Sequence, residues 1–383
     1  KEELITIRRD LHEHPELGFE EVRTSKLIKE FLTRENISYI SVAKTGVCGI
    51  IKGTGNGIEK TVALRADMDA LPIQDKKTNS YCSKESGKMH ACGHDAHVAI
   101  LLGVSKILNN NKHFFSGTVK LLFEPAEETI GGAPFMIEEG VLENPKVDAI
   151  FGLHVNECVE CGKVSIRKGI INAASNPFKV KIKGKGGHGA APQQTVDTVV
   201  MASEVVLALQ TISSREINPF NPIVITVGSI HGGSAKNVIP EEVELTGIIR
   251  TMTKEDRDFV VNRFKSIVNH VCEGMRGSAE IIIEESYPCL YNNDNLIELV
   301  EDNAKNILGI NNIIHGKNPS MGVESFAYFS EAVQSAFYYL GTGSSKNYTK
   351  EPAHSNLFDI DEESICFGVA IQCANALNYL TRA

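Results

Sequence analysis

The spacing of apolar residues along the first 150 residues predicts an alternation of strands and helices. Apolar positions recur at helical spacing over 19–34 and 96–108, and a third helix is predicted at 133–139, after two glycines. Short apolar runs predict strands at 47–52, 61–65, 118–123 and 147–155. This alternation is typical of a sheet flanked by helices, so we predict an α/β domain with a largely parallel sheet.

The pattern changes after residue 174. Strand, helix, strand, strand, helix and strand follow in that order, at 178–184, 195–214, 222–230, 241–250, 254–274 and 279–286. This β-α-β-β-α-β order is the ferredoxin-like α+β unit, which can bury its helices against its own sheet. We therefore predict an inserted domain at 174–286 and a first domain formed by 1–173 and 287–383.

Composition narrows the functional classes. A chain of 383 residues is long enough for two domains, and a net charge of −9 disfavours nucleic acid and anionic membranes as partners. Apolar runs fall short of the roughly 20 residues needed to span a bilayer, and the first residues lack a secretory core. Nine scattered cysteines fit reduced thiols. We expect a cytoplasmic protein, and interpret the isolated Cys158 and Cys161 pair as ordinary thiols.

Two short motifs suggest a metal site. Cys92 and His94 stand two residues apart just before a predicted helix, so one loop can present a thiolate and an imidazole together. Glu127 and Glu128 follow the strand predicted at 118–123. Either motif alone has an ordinary explanation, since a Cys and a His are often close by chance and carboxylates are favoured near helix N-termini.

Further polar residues follow other strands of the same predicted sheet. His154 closes the strand predicted at 147–155, and Asp67 and Asp69 end another. Ligands gather beyond the carboxyl ends of parallel strands, so all these side chains are expected at one edge of the sheet. Imidazole, carboxylate and thiolate together suit zinc, manganese, cobalt or nickel better than magnesium or calcium. We predict a metal site there, with a thiolate or a water able to bridge two ions.

Six segments carry a family resemblance: RRDLHEHPELGFEE (8–21), RADMDALPI (65–73), MHACGHDAH (89–97), EPAEETIGGA (124–133), GKGGHGAAP (184–192) and PAHSNLFDIDE (352–362). In this order they resemble the amidohydrolase branch of the aminoacylase and carboxypeptidase metallohydrolases. That branch includes hippurate hydrolases, plant indole-acetyl-amino-acid hydrolases and N-acetyldiaminopimelate deacetylases. The resemblance implies a dinuclear metal centre that hydrolyses N-acyl amino acids with metal-activated water.

The resemblance also implies roles for individual residues. Glu127 would be the general base, and His188, in the inserted domain, would reach the active site of the partner subunit. The inserted domain would act as a lid and provide the contact of a homodimer, with a tetramer as the alternative assembly. Asn237 and Arg250 would bind the substrate's free carboxylate. The implied ligands of two divalent ions are Cys92, His94, Glu128, His154 and His354.

Other polar residues receive supporting roles. Asp67 and Asp69 are expected to orient the ligand side chains, because ligating imidazoles commonly donate to such a carboxylate. Packing or surface roles are expected for the remaining histidines of the opening and metal-loop motifs, namely His12, His14, His90 and His97.

The chain departs from the family pattern at two places. Where relatives commonly read G-S-E-D-F, this sequence has Val323 and Ser325, and the polar segment 343–352 is longer than usual. Both departures are expected to affect substrate range rather than chemistry. The alternatives are a dipeptidase or carboxypeptidase with the same metals, a catalytically silent metal-binding protein, and a cysteine hydrolase that uses Cys92.

Overall fold

A computed structural model describes residues 1–344 and 350–382, so part of the polar segment 343–352 lies outside the described residues. The helices are α1 (Glu2–Glu13), α2 (Val22–Arg34), α3 (His94–Asn110), α4 (Ala133–Glu138), α5 (Thr198–Thr211), α6 (Lys254–Gly274), α7 (Asp294–Leu308), α8 (Phe326–Ala332) and α9 (Ser364–Thr381). The strands are β1 (Ser38–Val42), β2 (Gly46–Lys52), β3 (Thr61–Asp67), β4 (Thr118–Glu124), β5 (Ala149–Glu160), β6 (Val164–Ile166), β7 (Gly169–Asn172), β8 (Ala174–Lys183), β9 (Gly187–His188), β10 (Val224–Gly232), β11 (Val238–Ile239), β12 (Glu242–Thr251), β13 (Ser278–Ile283), β14 (Leu290–Asn292), β15 (Ile313–His315) and β16 (Ser335–Gly343).

The chain divides into two compact units. Unit 1 comprises Lys1–Ile171, Tyr291–Asn318 and Glu324–Ala383, and unit 2 comprises Asn172–Leu290 and Pro319–Val323. Unit 2 thus takes up the span predicted at 174–286, with a few residues more at each end and a short return segment. The lid and dimerisation roles of that span stay predictions.

Unit 1 is built on an eight-stranded sheet in the order β1-β2-β4-β3-β5-β16-β6-β15. The four central strands, β4, β3, β5 and β16, run parallel to one another, and β1 and β2 add antiparallel pairs at one side. Every residue of β3 and β4 is buried, as expected for parallel strands covered on both faces. The α/β fold with a largely parallel sheet is therefore confirmed.

Helices cover this sheet with apolar faces. In α3, the run from Val98 to Leu102 is buried, and in α9 the buried positions include Ile365, Val369 and Ala376. These side chains join the residues of the central strands in one continuous apolar core. The parallel strands are held rigidly by this packing, which fixes the positions of the loops that follow them.

Unit 2 has its own sheet and core. Its four antiparallel strands lie in the order β10-β12-β8-β13, and α5 and α6 pack against them around Val205, Phe264 and Leu245. A side chain caps the N-terminus of each helix. Asp197 accepts hydrogen bonds from backbone N–H groups at the start of α5, and Thr253 accepts one at the start of α6. The β-α-β-β-α-β order and this strand order are those of the predicted ferredoxin-like unit.

One predicted boundary was wrong. The strand containing His154 was expected to end near Val155, but β5 continues to Glu160 and pairs with β16 beyond His154. Backbone hydrogen bonds to β16 extend the strand beyond Val155. The residues there are polar, so their hydropathy does not predict a strand. His154 consequently projects from within a strand rather than from a loop.

Two further observations concern the length of the apolar helices and the state of the cysteines. Among the described residues, no helix is both long and apolar enough to cross a membrane. All nine cysteines are free thiols, including Cys158 and Cys161.

Candidate metal centre

The loop between Cys92 and α3 depends on a glycine. Gly93 has φ +89°, and a Cβ at this position would lie 2.3 Å from Val155 Cγ2. Only glycine combines this left-handed conformation with so close an approach. The turn lets Cys92 and His94, on either side of Gly93, contribute to the same site, while apolar Met89, Ala91 and Phe358 pack together near it.

Two non-glycine residues near the site also adopt left-handed conformations. Ala126, which follows β4, has φ +57°, and His354 has φ +66°. Such residues are uncommon and are held in place only where surrounding contacts determine them. The Ala126 amide donates to Glu21 at 2.8 Å, and the His354 amide donates to the Ala91 carbonyl at 2.7 Å. These contacts set the direction in which Glu127, Glu128 and the His354 imidazole project.

The structure brings all the predicted ligands of unit 1 together. Donor atoms of Cys92, His94 and Glu128 lie within 4.8 Å of one another. The group continues on both sides, because His354 Nε2 lies 3.3 Å from Glu128 Oε1, and His154 Nε2 lies 3.4 Å from Cys92 Sγ. The donors thus form a connected set of three imidazoles, one carboxylate and one thiol.

Asp69 organises the centre of this set. Its Oδ1 lies 3.2 Å from His94 Nδ1 and accepts the Glu127 amide at 3.0 Å, while its Oδ2 accepts the Glu128 amide at 3.0 Å. His94 Nε2 is buried and has no hydrogen-bond partner in the described part of the chain. Burial alone would lower the pKa of His94, but Asp67 and Asp69 raise it well above its usual value. A cation would take the place of the Nε2 proton, while Asp69 would hold the proton on Nδ1.

His97 lies close enough to join the group but is already fully engaged. Its Nδ1 donates to Asp67 at 2.5 Å, and its Nε2 accepts the Val155 amide at 2.9 Å. Burial lowers the pKa of His97 to about 4, so the ring is neutral and both nitrogens are occupied. His97 is therefore a packing residue, although Asp67, His94, His97 and His154 approach one another closely enough to hold an ion.

The two adjacent glutamates have different surroundings. Glu127 is only 8% exposed, and its Oε1 accepts the Ser325 amide at 3.0 Å. Burial, with the nearby charges of Glu324 and Glu128, raises the pKa of Glu127 well above its usual value. Burial alone would also raise the pKa of Glu128, but His354 and His94 lower it below its usual value. Identical side chains are thus biased toward opposite protonation states.

The donor set fits divalent cations. Burial beside Glu128 raises the pKa of the Cys92 thiol, and His94 Nε2 lacks a hydrogen-bond partner among the described residues, so a cation would satisfy both groups. A thiolate and imidazoles favour zinc, manganese, cobalt or nickel over magnesium and calcium.

The predicted substrate residues belong to unit 2. His188 is exposed, and its Nδ1 accepts the Ala190 amide at 3.0 Å. Asn237 lies next to it in space, because β9 pairs with β11 and the Gly189 amide donates to the Asn237 carbonyl at 2.8 Å. Arg250 lies in β12, and its Nη1 is buried without a hydrogen-bond partner in the described residues.

Sequence reasoning missed a buried cluster beneath Glu127. Arg65 is completely buried and pairs with Asp67 and Glu124, both at 2.6 Å. It also lies 3.0 Å from Glu324 and donates to Ser325 Oγ at 2.8 Å. An arginine inside the otherwise apolar run of β3 was the available signal, since a buried cation requires anionic partners. The departure from the family pattern at Val323 has no structural explanation.

Comparison with known proteins agrees with this geometry. Over 382 residues the chain is 42% identical to IAA-amino acid hydrolase ILR1-like 2 of Arabidopsis thaliana, covering 98% of this chain and 85% of the relative. It is 38% identical to thermostable carboxypeptidase 2 of Saccharolobus solfataricus, covering 98% and 95%. The crystal structure of the Bacillus subtilis YXEP protein, a dinuclear metal binding peptidase from the M20 family, superposes with a TM-score of 0.86 at 33% identity, covering 100% and 99%.

The match also extends to a whole family. The profile of peptidase family M20/M25/M40 matches residues 63–378, which include the metal-centre motifs from Asp67 to His354. The chain belongs to peptidase family M20/M25/M40 and is a metal-dependent amide hydrolase.

Proposed function

We propose that the enzyme hydrolyses the amide bond of N-acyl amino acids, with Glu127 as general base. The observation that carries the proposal is the buried Glu127 carboxylate beside a set of metal donors that does not include it. A protein that only stores or senses a metal has no need of a second buried carboxylate next to Glu128. The proposed ligands of two divalent ions are Cys92, His94, Glu128, His154 and His354.

The proposed reaction is a direct attack of water on the amide carbon. Two divalent ions, when bound, lower the pKa of a water molecule and polarise the scissile carbonyl. Glu127 accepts a proton from the attacking water and delivers it to the leaving amine. The hydrogen bond from the Ser325 amide to Glu127 Oε1 supports this role, because it holds the carboxylate in one orientation through both transfers.

Unit 2 is proposed to recognise the substrate. The Arg250 Nη1 group is buried without a hydrogen-bond partner in the described chain, which suits a site awaiting a carboxylate. Asn237 is proposed to assist it. Because His188 Nδ1 accepts the Ala190 amide, its neutral ring carries the proton on Nε2, where it can donate to a developing oxyanion. We propose that His188 acts across a homodimer, and that the enzyme works in the cytoplasm.

A substrate panel tests the proposal. N-acetyl, N-benzoyl and indole-acetyl amino acids are compared with dipeptides and longer peptides after loading with zinc, manganese, cobalt or nickel. We expect kcat/KM to favour the N-acyl amino acids by at least about tenfold, because pocket contacts worth a few kcal/mol separate substrates to that extent. Methyl esters of the same substrates lack the carboxylate proposed to bind Arg250 and should react poorly.

A carboxypeptidase is the second candidate, since two relatives of similar identity carry that name. An Arg250 Nη1 group without a hydrogen-bond partner in the described residues would also suit the terminal carboxylate of a peptide, so loss of activity on esters fits both functions. The group on the acyl side of the scissile amide bond distinguishes the two functions. Faster cleavage of unblocked peptides than of any N-acyl amino acid would replace the proposed substrate class with the second.

A further inference from the structure

Arg65 is the centre of a buried cluster that carries more negative than positive charge. Its guanidinium, with a fully buried side chain, contacts the carboxylates of Asp67, Glu124 and Glu324 within 3.0 Å. Burial, with the nearby charge of Glu324, raises the pKa of Glu124 above its usual value, even though Arg65 and Ser325 oppose that shift. The arginine is therefore saturated with acceptors, and the cluster has little capacity for another anion.

Ser325 joins this cluster through a neutral group. Its hydroxyl accepts from Arg65 Nη2 at 2.8 Å and donates to Glu124 Oε1 at 2.6 Å. These roles cannot be exchanged, because the guanidinium has only donors and the carboxylate only acceptors. The Ser325 side chain is thus held in one orientation by two charged partners.

The same residue also holds the proposed base. The Ser325 amide, which is buried, donates to Glu127 Oε1 at 3.0 Å. Ser325 immediately precedes α8, so its backbone cannot shift without moving the start of that helix. A side chain fixed by Arg65 and Glu124 consequently fixes the amide that orients Glu127.

A carboxylate at position 325 would disturb this arrangement. An aspartate oxygen at the place of Ser325 Oγ would lie about as close to Glu124 Oε1 as the present hydroxyl, but it would offer no proton. Two carboxylates at that distance cannot both stay ionised without a strong penalty. A neutral amide at position 124 would remove the penalty, because its NH₂ group could donate to the new carboxylate.

We propose that Ser325 is a positioning residue for Glu127, and that residues 124 and 325 form a matched pair in which only one member carries a carboxylate. The first half rests on the proposed role of Glu127 as base. The second half rests on the hydrogen bonds around Arg65 alone. The two halves can therefore fail separately from the proposed function.

Five variants and the wild type are compared for kcat, KM, metal content and Tm: Ser325→Ala, Ser325→Asp, Glu124→Gln, the Glu124→Gln/Ser325→Asp double variant, and Ser330→Ala. Ser330→Ala is the matched control, because Ser330 lies in α8 and its hydroxyl donates to the Ala327 carbonyl within the same helix. We expect Ser325→Ala to lower kcat roughly tenfold with KM and metal content nearly unchanged, since small displacements of a catalytic group cost up to about 10²-fold. Ser330→Ala should match the wild type.

The double variant tests whether residues 124 and 325 form a matched pair. Ser325→Asp should lower both kcat and Tm, and adding Glu124→Gln should recover most of each loss, a coupling expected only for residues in contact. If Ser325→Asp does not fold, recovery of folded protein in the double variant carries the same meaning. The pairing is wrong if the second change gives no recovery of Tm. The positioning role is wrong if Ser325→Ala keeps wild-type kcat while Glu127→Gln is inactive. An inactive wild type would instead refute the proposed function, and Tm would still report the pairing.

Discussion

Asp69 Oδ1 lies 3.2 Å from His94 Nδ1, and the same carboxylate accepts the amides of both Glu127 and Glu128. One buried side chain therefore sets the tautomer of a proposed ligand and the placement of both glutamates. This explains why an aspartate outside the donor set is needed at the end of β3.

Replacing Asp69 by Asn should weaken metal binding. The two oxygens of the Asp69 carboxylate face His94 Nδ1 and the amides of Glu127 and Glu128. Asparagine has only one acceptor oxygen, so at least one of these three groups loses its hydrogen-bond partner. Removing such a partner of a ligand typically lowers metal affinity by roughly 10–100-fold. Competition titration with a chromogenic chelator measures this, and Asp258→Asn, an exposed change on α6, is the control. Unchanged affinity in Asp69→Asn would show that His94 does not depend on Asp69.

The two adjacent glutamates should respond differently to substitution. Glu127→Gln preserves shape but cannot accept a proton, so we expect retained metal and turnover lower by on the order of 10²–10⁴-fold. Glu128→Ala should lose metal as well as turnover, as should Cys92→Ala and His354→Ala. Elemental analysis of the purified variants, beside kcat, separates the groups. Full activity in Glu127→Gln would refute its assignment as base.

The proposed action of His188 across a homodimer predicts complementation. His188→Ala should lower turnover by roughly 10²–10³-fold, the typical effect of losing one oxyanion donor, without loss of metal. In mixed dimers with Glu127→Gln subunits, one of the two sites would combine both intact residues. A fully exchanged equal mixture should regain roughly a quarter of wild-type activity, since half of its dimers are mixed. Demonstrated exchange without regained activity would contradict the trans role.

The contact between Arg8 and Asp359 predicts a dependence of stability on acid pH. Arg8 Nη2 donates to Asp359 at 2.8 Å, and Tyr81 and Asn79 also donate to this carboxylate. Burial alone would raise the pKa of Asp359, but Arg8 and Lys77 lower it below its usual value. A carboxylate with a lowered folded pKa stabilises the fold above its unfolded pKa of about 3.9, and this contribution is lost as pH falls through the folded pKa.

Asp359→Asn should therefore be less stable than the wild type at pH 7, but by less than the roughly 3–5 kcal/mol that complete loss of a buried charge partner costs, because Arg8 keeps Asp95 at 2.8 Å and Glu362 at 3.3 Å. The deficit should shrink as the pH falls below about 4, because the unfolded chain then binds a proton at Asp359 that the folded carboxylate takes up only at lower pH. Urea unfolding of metal-free samples at several pH values measures both, with Asp258→Asn as the exposed control. A difference in the free energy of unfolding that stays constant with pH would show that the Asp359 charge does not stabilise the fold.

The sequence by itself determined much of this protein. Local periodicity predicted β3, β4, β5, α3 and the ferredoxin-like unit, because each depends on a hydrophobic pattern that neighbouring residues carry. The motifs around Asp67, Cys92 and Glu127 could be assigned to one sheet edge for the same reason, since parallel strands align their carboxyl ends. His354 came only from the family resemblance, as it lies far along the chain from the other donors.

Only the tertiary structure decided which polar groups are already satisfied. His94 and His97 stand one turn apart on α3 and look alike in sequence. Within the described part of the chain, however, His94 Nε2 has no hydrogen-bond partner, whereas both nitrogens of His97 are engaged. Arg65 and Ser325 are 260 residues apart, and their hydrogen bond arises from the packing of β3 against the segment before α8. Burial and hydrogen-bond partners depend on residues distant in the chain, so no local pattern could have shown them.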